Sequence, residues 1–164
     1  MASGDTIAMI PPATGYSERT ATMAPIAFTP AGDLGVQTLR FTGTVNTSAV
    51  YCAVLSRQYG GKGFNVVLAW KSPGSGTVKW KVSLSRLAAG TDLSAGPIWT
   101  TEQAASGTIG APNALAYTTV PIPPAQMGGI ASGELFQLRV VRDVSVVGNA
   151  AADAYLVGLV VKEQ

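Results

Sequence analysis

Residues Phe64–Leu87 read FNVVLAWK-SPGSG-TVKWKVSLSRL. Phe64, Val66, Leu68 and Trp70 alternate with Asn65, Val67, Ala69 and Lys71. After SPGSG, Val78, Trp80, Val82 and Leu84 alternate with Lys79, Lys81, Ser83 and Ser85. A period of two places successive side chains on opposite faces of a strand. Pro73, Gly74 and Gly76 are turn formers between the two runs. The stretch predicts a β-hairpin with two tryptophans on its apolar face and lysines and serines toward water. A sheet that is wet on one side needs a second apolar surface to cover the other.

Similar runs recur on both sides. Strands are expected over Thr38–Thr42, Ala49–Leu55, Ile98–Gln103, Ala114–Val120, Glu134–Arg142 and Tyr155–Lys162. Ala49–Leu55 and Tyr155–Lys162 are apolar on both faces, so both are predicted to be central strands. Gly158 marks a bulge or a close backbone approach within the last of them. AAGTDLSAGP, ASGTIGAPN and PIPPAQMGGIASG read as loops. No window shows a helical face. The chain is therefore expected to be all-β, a jelly-roll-like antiparallel β-sandwich of about eight strands over residues 38–164, with a meander barrel as the alternative. The predicted core takes Val66, Leu68, Trp70, Val78, Trp80, Val82, Phe136, Leu138 and Val140.

Residues 1–37 differ. They hold four prolines and no sustained period, yet Ile7, Met9, Ile10, Tyr16, Met23, Ile26 and Phe28 are too apolar for a solvated tail. We expect an extended arm lying on another surface, either its own body or a neighbour's. Ile7, Met9, Ile10, Tyr16, Ile26 and Phe28 are its candidate partner-binding side chains.

The 164 residues suit one domain. Charged residues are 12% of the chain, about half the usual share of roughly 25%. The net charge of +2 is scattered, whereas nucleic-acid binders cluster their cations. No apolar run approaches the ~20 residues of a membrane helix. The start, MASGDTIAMIPPATG, lacks the basic and apolar regions of a secretory leader. The sole cysteine, Cys52, is expected as a small buried hydrophobe and fits a reducing cytoplasm.

Catalytic chemistry finds little material. The chain has no histidine, the commonest general base and a frequent metal ligand. Its nine carboxylates are dispersed, and only folding can bring two of them face to face as a glycosidase requires. Asp143 and Asp153 bracket a loop but are few for an oxygen cage. Gly60–Gly63 lacks the spacing of a phosphate loop and reads as a strand-entry turn. Trp70, Trp80 and Trp99 are a conceivable sugar platform, but the phase of Trp70 and Trp80 assigns those two to the core. No cofactor and no enzymatic activity are expected.

YGGKGFNVVLAWKS, VKWKVSLSRL, ELFQLRVVRDVS and AADAYLVGLVVKE together resemble the small β-sandwich head decoration, or cement, proteins of tailed bacteriophages. The resemblance covers most of residues 50–162 and is one of general pattern. It implies a non-enzymatic virion protein on the capsid surface, assembled in the host cytoplasm. Such a protein is often a homotrimer that bridges neighbouring copies of the major capsid protein, with a terminal arm reaching the next subunit. Similar sandwiches serve as tail-fibre or baseplate modules that bind receptors or glycans, and this is the competing expectation.

Overall fold

The computed structural model describes residues 6–10, 26–28, 37–145, 147–150 and 152–164. Among them run ten strands: β1 (Thr6–Ile10), β2 (Ile26–Phe28), β3 (Gln37–Phe41), β4 (Thr47–Val54), β5 (Phe64–Lys71), β6 (Gly76–Leu87), β7 (Gln103–Ile109), β8 (Ala116–Ile122), β9 (Leu135–Asp143) and β10 (Ala154–Glu163). Two three-residue 3₁₀ turns, Leu93–Ala95 and Pro124–Gln126, are the helical content of the described residues. No helix among these residues is long and apolar enough to cross a membrane.

The strands form two antiparallel sheets packed face to face. One has the order β2-β3-β10-β5-β8, with β1 also on β10; the other has the order β4-β9-β6-β7. The eight strands from residue 37 onward are the sandwich body, and β10 lies at the centre of its sheet, as its two-sided apolar pattern predicts. A register shift between Leu156 and Gly158 is the bulge that Gly158 signalled. The extra residue lets Leu156 and Leu159 both face inward.

Period-two alternation identifies the buried faces. Val66, Leu68, Trp70, Val78, Trp80, Val82, Leu138 and Val140 are fully buried, and Phe136 is 1% exposed. Trp70 and Trp80 pack edge to face at 5.9 Å between centroids, and Phe41 meets Trp80 at 5.1 Å. The indole N–H of Trp70 donates to Thr118 Oγ1 at 2.9 Å.

Three sequence expectations are corrected. First, Phe64–Leu87 is not a hairpin: β5 pairs with β10 and β8, while β6 pairs with β9 and β7 in the opposite sheet. SPGSG is an arch between sheets. Alternation shows which face of a strand is buried, and strands that lie side by side or face to face satisfy it equally. Second, the strand expected at Ile98–Gln103 lies further on, at Gln103–Ile109, within a stretch read as loop. Its small residues are required by close passage: a Cβ on Gly107 would strike Thr118 Oγ1 and lie 3.0 Å from Trp70. Third, β4 is not central. Among the described strands it pairs with β9 alone, and Cys52 and Val54 are exposed rather than buried.

Parts of the arm lie on the chain's own body. β1 pairs with β10 and β2 with β3.

The pairings collect the connections at two ends. Residues 42–46, 72–75, 110–115 and, of the last connection, 144–145, 147–150 and 152–153 share one end, since Phe41 lies opposite Ala154, Lys71 opposite Tyr155, Ala116 opposite Trp70 and Thr47 opposite Arg142. Arg142, fully buried, ties this end together by donating to the carbonyls of Phe41 and Ala150 and to Asn149 Oδ1. Residues 55–63, 88–102 and 123–134 share the other end.

Candidate functional site

At this second end, an open cleft of about 750 Å³ lies on the outer face of the four-stranded sheet. Its floor is set by register. Cys52 on β4, Gln137 on β9 and Ser85 on β6 stand side by side in one row; Val54, Leu135 and Leu87 form the next. All point away from the core, because their strand neighbours Tyr51, Phe136, Leu138 and Leu84 point into it. A polar row thus adjoins an aliphatic one.

The loop after β6 supplies the wall, with Thr91, Asp92, Leu93, Ala95, Gly96, Pro97 and Ile98 on the cleft. Its shape follows from local chemistry. Asp92 Oδ1 caps the 3₁₀ turn by accepting from the Ser94 amide at 2.8 Å and its hydroxyl at 2.7 Å. Gly96 then takes φ 79°, a left-handed value that favours glycine. Thr100 fastens the loop to β6, its amide donating to the Leu84 carbonyl and its hydroxyl accepting from the Leu84 amide. The Arg139 guanidinium lies 4.8 Å from the centre of the Trp99 ring, a cation–π contact.

The charged groups at the cleft are already engaged. Arg86 makes a two-point ion pair with Glu134, whose Oε2 also accepts from the Ala131 amide. The Arg86 hydrogen bond holds the Glu134 carboxyl below the usual carboxylate range. Hydrogen bonds from Ser94 do the same for Asp92. Much of the lining is apolar: Leu93 is 74% exposed and Ile98 89%, with Leu87, Pro97 and Leu135 also on the cleft.

The arrangement is suited to binding. Cys52 has no histidine to activate it in a chain that contains none. Folding does bring two carboxylates together, but outside the cleft. Lys81 Nζ bridges Asp143 at 3.1 Å and Glu102 at 3.5 Å, and Arg139 holds Glu102 at 2.9 Å. Burial pushes the Asp143 carboxyl up, but hydrogen bonds from Ser145 and Lys81 outweigh it and leave the group well below its ordinary value. It is an ion-network anion, not a proton donor.

Asp153 is likewise engaged, by Arg40 at 2.6 Å and the Gly43 amide at 3.0 Å. Among the described residues no group of three or more potential metal ligands occurs. Gly60–Gly63 forms a turn entering β5, held by Glu163 Oε1 accepting from the Gly60 amide and Tyr59 Oη accepting from the Gly63 amide.

The candidate arm residues lie elsewhere. Ile10 is buried in the core and pairs with Leu159. Ile7 and Met9 belong to β1, and the backbones of Ile26 and Phe28 pair with Leu39 and Gln37. Tyr16 lies outside the described residues. The cleft residues escaped the sequence reading. Their one sequence signal is Leu93 and Ile98, two large aliphatics in a loop otherwise rich in Gly, Pro, Asp and Ser.

No protein-family description matches the chain. No curated protein matches it by sequence. Solved structures do match. The CBM22-1 xylan-binding domain from Paenibacillus barcinonensis Xyn10C aligns with TM-score 0.53 and 10% identity, over 99% of this chain and 96% of that one. A putative sugar binding protein from Bacteroides thetaiotaomicron gives 0.52 and 8%, over 92% and 86%. A family 36 carbohydrate-binding module in complex with calcium and xylotriose gives 0.50 and 14%, over 93% and 98%. The fold is a jelly-roll β-sandwich. At these identities, what the chain shares with its neighbours is that fold.

Proposed function

We propose that this chain is a non-catalytic recognition module that takes a glycan into the cleft beside Gln137. The observation that carries this reading is the floor itself, where the polar row Cys52–Gln137–Ser85 adjoins the aliphatic pair Leu135 and Leu87. A sugar ring has hydroxyl edges and C–H faces, and such paired rows meet both. The fold shared with carbohydrate-binding modules supports it. On a phage particle, a module of this kind belongs to a tail fibre or baseplate. The test is calorimetric titration with neutral xylo-, gluco- and manno-oligosaccharides. At least one should bind, and Gln137→Ala and Leu135→Ser should each weaken it tenfold or more. Absence of binding at millimolar ligand, or equal binding by both variants, would overturn the reading.

A second reading, the capsid decoration protein, is favoured by the opposite end. There Val45, Leu115 and Val147 stand 49%, 51% and 104% exposed on three separate loops, and Arg142 fastens the ends of the loops carrying Val45 and Val147 through Phe41, Asn149 and Ala150. Exposed aliphatics on a tied-down surface fit contact with a protein partner. In this reading a trimer grips the major capsid protein on the virion surface. Copy number on purified particles separates the two readings, since hundreds mean capsid and a few mean tail. Val45→Ser with Val147→Ser should release the protein from capsids if the second reading holds.

A further inference from the structure

We infer that the glycan held in the cleft is neutral and carries methyl groups, as O- or N-acetyl substituents or 6-deoxy sugars provide. The inference rests on the glycan-binding reading and names the ligand class for the same site.

Two observations carry it. The first is electrostatic. Arg86 is neutralised by Glu134 through two contacts, and Asp92 is occupied by Ser94. An anionic ligand finds no free cation here, meets the negative charge that Asp92 keeps, and loses its hydration on entry. A neutral ligand avoids that loss.

The second is the character of the rim. Leu93 and Ile98, 74% and 89% exposed, line the cleft from the loop side, and Leu87 and Leu135 line it from the sheet. Both sides of the opening are therefore saturated carbon. Aromatic platforms suit flat C–H faces of bare pyranoses, but the side chains lining this cleft include no aromatic ring. Branched aliphatics instead complement small protruding methyl groups. Each methyl seated there tightens binding by about fourfold, the affinity equivalent of one buried methylene.

Cys52 makes the proposal measurable. It is the sole cysteine of the chain, exposed, and part of the cleft floor, so its alkylation by a neutral thiol reagent reports occupancy. The full chain is titrated with O-acetylated xylo-oligosaccharides, with the same material after mild alkaline deacetylation, and with a rhamno-oligosaccharide. Calorimetry and Cys52 protection are read together.

The expected result is acetylated ligand binding at least fourfold tighter than deacetylated, with Cys52 protected at correspondingly lower concentration. Leu93→Ser combined with Ile98→Ser should collapse that preference toward onefold. Both substitutions fall on exposed loop positions. Tight rhamno-oligosaccharide binding without an acetyl preference supports the proposal and assigns the methyl to C6 of a deoxy sugar. Equal affinity for all three ligands overturns the inference while leaving glycan binding standing. No binding and no protection of Cys52 at millimolar concentration overturns both.

Discussion

Trp70 and Trp80 meet edge to face at 5.9 Å with an interplanar angle of 65°, each reaching the contact from a different sheet. Trp80 also receives Phe41 at 5.1 Å and 84°. Aromatic contacts of this geometry contribute about 0.5–1.5 kcal/mol beyond the area they bury. Trp80→Ala removes both and leaves a void between the sheets, so it should cost about 3–5 kcal/mol. Urea denaturation followed by circular dichroism reads this as a lower midpoint at unchanged slope. A loss below 1 kcal/mol would mean that Trp80 does not join the sheets.

Trp70 is anchored differently, through its N–H on Thr118 Oγ1. Thr118→Val keeps the shape but leaves that N–H buried without an acceptor, which costs about 1–3 kcal/mol. Gly107→Ala should cost a similar amount by overpacking, because its new Cβ would drive into Thr118 and the Trp70 ring. Thermal unfolding of the two variants checks both. A Gly107→Ala protein as stable as the parent would mean that β7 passes further from Trp70.

The sequence exposed the buried faces well and the pairing poorly, for a physical reason. Val66, Leu68 and Trp70 announce a covered face through their spacing, and Val78, Trp80 and Val82 do the same. Which sheet each strand joins depends on how SPGSG carries the chain, and a five-residue connection permits a hairpin or an arch. Gln103–Ile109 was invisible because QAASGTI has small residues where strands ordinarily carry branched ones, a choice forced by Trp70 and Thr118 beneath Gly107. The cleft was invisible because Cys52, Gln137 and Ser85 are 85, 52 and 33 positions apart in pairwise separation and meet only through the β4-β9-β6 register.

Tyr51 is fully buried, and its hydroxyl has no hydrogen-bond partner among the described residues. Tyr51→Phe deletes that unsatisfied group at nearly constant shape and should stabilise the fold by about 1–3 kcal/mol. Burial also raises the phenol's pKa. The sign follows from linkage: a raised folded value makes a contribution fully present below the unfolded pKa of about 10 and lost as pH rises beyond it. The parent should therefore lose stability above about pH 10 more steeply than Tyr51→Phe. Parallel alkaline limbs would show that the hydroxyl has an unrecognised partner.

Asp143 works in the opposite direction. Its folded pKa lies below its unfolded value of about 3.9. It therefore stabilises the protein above that pH, and the contribution disappears as pH falls toward the folded value. Asp143→Asn should be less stable at neutral pH, where it loses Lys81, Lys79 and the charged acceptor for Ser145. The gap from the parent should narrow below about pH 4. A gap independent of pH would assign the loss to packing rather than charge.

β1 gives the sharpest test of what the N-terminal segment does. Thr6 pairs with Lys162, Ala8 with Val161, Met9 with Val160 and Ile10 with Leu159. This covers the flank of β10 that β3, paired through Ala154–Leu156, leaves open. Ile10 is 7% exposed within the core, so Ile10→Ala should cost about 2–5 kcal/mol. Deleting residues 2–10 should do more than lose that side chain. It uncovers a row of β10 amides and carbonyls, a template for pairing with another chain. The truncated protein should unfold at lower denaturant, exchange its Leu159–Lys162 amides faster and self-associate at concentrations where the full chain does not. A strap reserved for a neighbouring capsid subunit predicts the reverse: the truncated body folds as stably as before and loses only its grip on particles. Unchanged unfolding with unchanged protection at Leu159–Lys162 would show that β1 contributes nothing to the sandwich and leave the segment to a partner.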